Sequence, residues 1–187
     1  WVAKGGVITA DKPANYYTET DFSAPLAAAI ATSPDVMLIG GPSATTALVI
    51  EQARAMGYKG GFIMIDQAKQ DYIAKLLRGT KVMGNLIGTA GVVSIPFEGG
   101  KNFDKKFTEQ YKKMVTWECA LNYTGMHALA RAIVAAGTVS DVYKIREAFP
   151  KAMPMVGDKF PNESFGITKA GRMHVMASVQ TITDGKS

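Results

Sequence analysis

Two short stretches of this 187-residue chain combine a turn with groups able to hold a charged ligand. Gly40-Gly41-Pro42-Ser43 follows the apolar run Val36-Met37-Leu38-Ile39 and leads into a helical pattern that runs to about Met56. A tight turn onto a helix start presents unpaired backbone N–H groups, and with the Ser43 hydroxyl these suit a carboxylate or a phosphate. The same residues equally suit an ordinary turn and helix cap. Asp66-Gln67 closes a second apolar run, Phe62-Ile63-Met64-Ile65. A carboxylate there would accept hydrogen bonds from an ammonium group, or cap the next helix. In open α/β sheets ligands bind outside the carboxyl ends of the strands, where both stretches fall. Gly41, Pro42, Ser43, Asp66 and Gln67 are therefore the candidate binding residues.

Catalytic and metal chemistry have less to build on. No GxSxG elbow, Walker loop or GxGxxG fingerprint occurs. His127 and His174 each lack a second His or Cys at ligand spacing, so neither a metal site nor a cofactor is expected. Cys119 opens an apolar helix with no histidine base nearby in sequence, which reads as a small buried residue rather than a nucleophile. A single cysteine allows no internal disulfide, so cysteine usage says nothing of the redox compartment. The expectation is a protein without catalytic residues.

The elements that must position the candidate residues follow from apolar periodicity. Gly6-Val7-Ile8-Thr9-Ala10 reads as a short strand, followed by a polar loop to Asp21. Phe22, Leu26, Ala29 and Ile30 mark one face of a helix, with Asp21 or Ser23 as cap and Pro25 in the first turn. Val36–Ile39 is a strand of buried type, and the helix after Ser43 stops at Gly57. Phe62–Ile65 repeats the pattern, with Tyr72, Leu76 and Leu77 lining a helix that stops at Gly79 and a further strand within Asn85–Ala90. Strands alternating with helices predict an α/β fold, a mostly parallel sheet with helices on both faces.

After Gly99-Gly100 the style changes. A helix is expected over about Asn102–Met114, with Phe103, Phe107 and Tyr111 as a buried stripe. Helix 119–136 is apolar nearly all round, leaving Thr124, His127 and Arg131 as one narrow stripe toward water. A short helix at 140–149 and a hairpin of Ser164–Thr168 with Met173–Thr183 complete the chain.

Hydrophobic residues reach 47% and charged residues 20%, a balance that excludes a disordered chain, a collagen-like repeat and a disulfide scaffold. The net charge of +5 is spread. Lys105-Lys106 and Lys112-Lys113 interleave with Asp104 and Glu109, a solvated helix face rather than a nucleic-acid stripe, so no nucleic-acid partner is expected. The longest apolar run, near Ala128–Ala136, is broken by Arg131 and too short to span a bilayer. The chain opens on Trp1-Val2-Ala3-Lys4 without Met or a signal-peptide pattern, as a trimmed or fragmentary chain would.

Several runs, in order, carry a family resemblance: Asp21-Phe22-Ser23-Ala24-Pro25-Leu26, Pro34-Asp35-Val36, Gly40-Gly41 and Gln52-Ala53-Arg54-Ala55-Met56-Gly57-Tyr58-Lys59. They continue through Phe103, Phe107, Tyr111, Tyr123, Ala128-Leu129-Ala130-Arg131-Ala132-Ile133 and Ala136-Gly137. The chain resembles the later half of the ligand-binding proteins of ABC importers for branched-chain amino acids, the type I periplasmic-binding fold. The resemblance implies an extracytoplasmic, non-enzymatic protein whose two lobes close by hinge motion on an amino acid or an organic or aromatic acid and present it to a membrane permease. It implies a second, flavodoxin-like lobe at 1–116 and a return segment at 117–187, with the first lobe missing. In amino-acid-binding relatives the loop after the Gly-Gly strand and an acidic residue at the next strand end meet the ligand. Those positions fall on Pro42 or Ser43 and on Asp66. Pro42 departs from the aromatic residue of some leucine-type binders, so the ligand stays open. Helix 119–136, deprived of the first lobe, would be covered by another chain (self-association) or packed against residues 140–187. Two alternatives remain: an α/β enzyme domain holding phosphate at Gly41–Ser43, and a ligand-sensing receptor domain.

Overall fold

In a computed structural model the described residues are 1–65, 67–89, 97–176 and 178–186. The chain divides into two compact units, Trp1–Ala90 with Val179–Ser187, and Gly91–Ser178.

The first unit is built on strands β1 (Val36–Ile39), β2 (Gly61–Met64) and β3 (Leu86–Thr89), with helix α1 (Ser23–Ile30) before β1 and helices α2 (Ser43–Ala55) and α3 (Gln70–Leu76) between the strands. β1 pairs with β2 and β2 with β3, both in parallel. A last strand from the far end of the chain, residues 179–182, pairs antiparallel with β3 and completes the order β1-β2-β3-β6. The expected α/β class with a parallel-dominated sheet is therefore present. Alternation along the strands sends Ile39, Phe62, Met64, Leu86 and Ile182 into one buried cluster with Phe22, Ile50, Ile73 and Met83. Leu38 and Ile87 point the other way and are exposed.

α1 starts where Asp21 Oδ1 accepts the Ser23 N–H at 2.9 Å, and hydrogen bonding by the Ser23 side chain, then by its N–H, holds the Asp21 carboxyl below its usual range. α2 ends in a Schellman motif: the Tyr58 N–H donates to Ala53 O and the Gly57 N–H to Arg54 O. Gly57, at φ +87°, takes the left-handed position this motif needs, as its place in the sequence predicts.

The run Gly6–Ala10 is not a strand. Val7 and Ile8 are exposed, and the run follows a 3₁₀ turn at Val2–Lys4. An apolar run becomes a strand only where a neighbour supplies its ladder of hydrogen bonds, and β1 ends the sheet without taking it.

The second unit holds α4 (Glu98–Tyr111), α5 (Trp117–Ala136), α6 (Val142–Ala148), a 3₁₀ turn at Phe149–Ala152 and the strands β4 (Ser164–Ile167) and β5 (Met173–Val175). β4 and β5 form the expected antiparallel hairpin. The run Met173–Thr183 does not stay whole: residues 173–175 remain in the hairpin, and Val179–Ile182, here β6, joins the larger sheet. Burial of Ile182 opposite Leu86 is the gain the local pattern could not show.

α5 packs against α6 and the 149–152 turn, where Ala132, Ile145 and Ala152 form a buried cluster. Of the expected wet stripe, His127 and Arg131 are exposed and Thr124 is not. Thr124, assigned to the wet stripe, is 0% exposed, while Met126 (65%) and Val134 (81%) face solvent. Ala120, Thr124, Ala128 and Ala132 form a small-residue ridge at i, i+4, i+8 and i+12 that lets the neighbouring chain approach closely. The Thr124 hydroxyl reaches the Ala120 carbonyl at 3.0 Å and Asn162 Oδ1 at 2.8 Å, which satisfies it in the interior. Along α4, Phe103 and Phe107 pack on the Val115–Ala120 cluster, but Tyr111 at the end of the stripe is exposed.

Candidate ligand-binding site

The turn after β1 is held from inside. Thr46, fully buried, donates its hydroxyl to Gly41 O at 2.9 Å, and the Thr46 N–H makes the first intrahelical bond of α2 to Pro42 O. Pro42 is thus the capping residue, extended at φ −70° and ψ 167°, with no side-chain cap. The N–H groups of Ser43, Ala44 and Thr45 precede that first bond and have no intrahelical acceptor. They lie at the positive end of a 13-residue helix.

Ser43 plays a different part from a free cap. Its hydroxyl donates to Gln67 O at 3.2 Å and accepts the Lys69 N–H at 2.9 Å. The structure thereby brings together the two stretches singled out by sequence, the turn at Gly41–Ser43 and the loop at Gln67. With its one proton committed to Gln67, the Ser43 hydroxyl keeps a lone pair and no donor for an incoming anion. Anion attraction at this turn falls to the backbone N–H groups. Gly41 and Ser43 are buried, Pro42 is half-buried, and Gln67 is exposed. Asp66 lies outside the described residues.

Two neighbouring features escaped the sequence reading. Gln70 opens α3 and is 1% exposed; its Nε2 donates to Gln180 O at 3.0 Å across 110 positions of chain. Its Oε1 and that of Gln180 are buried without a hydrogen-bond partner among the described residues. In the loop before α1, the rings of Tyr16 and Tyr17 lie 4.3 Å apart between centroids, and the Tyr16 hydroxyl donates to that of Tyr17 at 3.2 Å. That bond keeps the Tyr16 hydroxyl protonated above its ordinary range. Nothing in the loop's composition marks either feature, since both depend on contacts with α2 or β6.

Among the described residues no group of three His, Cys, Asp or Glu could hold a metal ion. His127 lies tilted against Tyr123 and edge-on to Phe160, His174 lies edge-on to Phe165, and Cys119 is half-buried with the Thr116 hydroxyl 3.5 Å from its sulfur. No described helix is long and apolar enough to cross a membrane.

A family model described as periplasmic binding protein matches residues 1–186. The chain belongs to that family. Among solved structures, a leucine-binding protein of Thermotoga maritima shares 27% identity at a TM-score of 0.69, the match covering 90% of this chain and 47% of that one. A branched-chain amino acid transporter substrate-binding protein of Streptococcus pneumoniae, solved with isoleucine, reaches the same TM-score at 18% identity, again over 90% and 47%. An extracellular ligand-binding receptor of Rhodopseudomonas palustris follows at 18% identity and TM-score 0.66, over 90% and 51%. This periplasmic-binding-protein chain thus spans about half the length of the solved relatives, and its fold is that of one lobe of the type I architecture. Comparison with curated proteins gives no significant match.

Proposed function

We propose that the chain is the ligand-capturing lobe of an extracytoplasmic solute-binding component of an ABC importer, acting without catalysis. The observation that carries this reading is the tie from Ser43 to Gln67 and Lys69, which fixes two strand-end loops side by side in a chain of this family. The backbone N–H groups of residues 43–45 attract a carboxylate. Asp66, at the end of the next strand, takes an ammonium or another hydrogen-bonding end, with Gln67 beside it. Residues 1–116 serve as the binding lobe and 117–187 as a return segment toward a first lobe. Hinge closure of the two lobes buries an amino acid or an organic acid and offers it to a membrane permease.

Titration calorimetry with leucine, isoleucine, valine and 4-hydroxybenzoate tests the reading. Binding of at least one of them is expected, and Asp66→Ala should weaken an amino acid about tenfold or more, the scale of a lost charge-assisted hydrogen bond. Failure of every probe to bind at millimolar concentration overturns the reading. An amino-acid affinity unchanged by Asp66→Ala removes Asp66 from the site.

A further inference from the structure

Gln70, the first residue of α3, is a long polar side chain at 1% exposure. The residue before it, Lys69, gives its backbone N–H to Ser43 Oγ at 2.9 Å. Gln70 itself reaches the other way, its Nε2 donating to Gln180 O on β6 at 3.0 Å. One peptide step therefore separates a bond to the turn after β1 from a bond to the strand that re-enters the first unit at Val179.

The sheet makes room for this reach. A Cβ at Gly88, which pairs with Gln180, would lie 2.8 Å from Gln70 Nε2 and 3.2 Å from Met64 Cε, so glycine is what lets the amide cross β3. The arrangement is not one that stability alone would favour. Gln70 Oε1 and Gln180 Oε1 are buried without a partner among the described residues. An unsatisfied buried acceptor is destabilising, and an apolar side chain of similar length would fill the same space without that penalty. What an apolar side chain cannot do is donate to β6.

The strand it holds is seated by alternate residues. The Phe62 N–H donates to Asn85 O, so β3 turns Asn85 and Ile87 toward β2, and Leu86 and Gly88 toward β6. Ile182 and Gln180, opposite Leu86 and Gly88, are thus the β6 residues whose N–H groups bond to β3.

We infer that Gln70 is a positioning residue that couples the loop at 67–69, held by Ser43, to the seating of β6 on β3. Whatever orders one orders the other, since such coupling is reciprocal. The coupling regulates the site of the binding-lobe reading above and rests on that reading for its purpose. It holds or fails without any ligand, so either can be lost while the other stands.

Amide exchange of the full chain in deuterated water decides it, with Ile63 of β2 as the reference for opening of the whole sheet. Ser43→Ala removes the tie to the loop. It should speed exchange at Gln180 and Ile182 about 2–10-fold beyond any change at Ile63, the scale of one hydrogen bond. In a Gln70→Met background the same substitution should leave these two amides unmoved relative to Ile63. Gln70→Met by itself should hold or raise the melting temperature, because an unsatisfied acceptor goes with the amide. Gly88→Ala is the second route: it displaces the amide without altering Gln70 and should abolish the response as well. An equal response to Ser43→Ala with and without the amide in place overturns the coupling, as does no response in the otherwise wild-type chain. A melting temperature that falls in Gln70→Met while the response persists makes Gln70 a structural residue only and overturns it too.

Discussion

Arg54 donates to four backbone carbonyls, those of Tyr58 (2.7 Å), Gly60 (2.9 Å), Val82 (3.1 Å) and Met83 (3.2 Å). Its guanidinium also lies 4.5 Å over the Phe62 ring and 5.4 Å over that of Tyr58. One side chain thus fastens the end of α2 to the start of β2 and to the turn before β3. Burial pulls its pKa down from the ordinary arginine value, the cost of placing the charge where carbonyls replace water. A lysine carries the charge but not the planar fork. Arg54→Lys should therefore lower stability by about 2–4 kcal/mol, since hydrogen bonds to a charged group contribute about 1.5–3 kcal/mol each and not all four are lost. Urea unfolding measures this as a lower midpoint at unchanged slope. Ser43 teaches a related point. Its type and place fit a cap or a ligand contact, but which one it becomes depends on Gln67 and Lys69, more than twenty positions away. Residue type sets what chemistry is available, and tertiary contact decides how it is used.

Among the elements, α5 shows how an interior polar group is made safe. Thr124→Val keeps the shape of the side chain and removes the hydroxyl, leaving buried Asn162 Oδ1 without its donor. A loss of about 1–3 kcal/mol is expected, the penalty for an unsatisfied buried polar atom, readable as a drop in melting temperature. The elements of the first unit were largely legible beforehand: β1, β2, β3 and the helices before and between them follow apolar runs, and α2 stops at Gly57 as turn chemistry predicts, while at the end of α3 Arg78 (φ +56°) rather than Gly79 takes the left-handed position. What misled was anything decided by distant pairing. Val7-Ile8 carries a strand's composition without a ladder to join, and Val179–Ile182 leaves a plausible hairpin for β3 because Ile182 finds cover opposite Leu86. The inward turn of Thr124 was hidden for a similar reason, since an alanine-rich helix does not mark by its own pattern which side faces in. At the site, sequence marked the turn and the loop that Ser43 joins. It did not mark the contact of Tyr16 with Tyr17, whose loop is held by Thr45 of α2.

At the scale of the whole molecule, the chain carries about half the length of its solved relatives and leaves apolar surface in the open. One side of α5 is covered by α6 and the 149–152 turn, as one of the two sequence expectations had it, while Met126, Leu129 and Val134 lie at i, i+3 and i+8 on exposed positions. A stripe of that kind favours association. Light scattering is expected to show the mass rising with concentration, and Met126→Glu with Val134→Lys should return it to the monomer. A mass that stays monomeric in the wild type at every concentration counts against this. The sheet has an open border of its own at β1. Asp35 O and Ile39 O accept from Gly61 and Ile65, so the groups of Asp35, Met37 and Ile39 face β2, and those of Val36 and Leu38 turn outward beside a Leu38 side chain that is 69% exposed. In deuterated water this strand should therefore exchange its amides in alternation, Val36 and Leu38 fast, Met37 and Ile39 slow. A segment or second molecule that settles along β1 would slow the fast pair alone, which makes two amide signals a gauge of whether the border of the sheet is occupied.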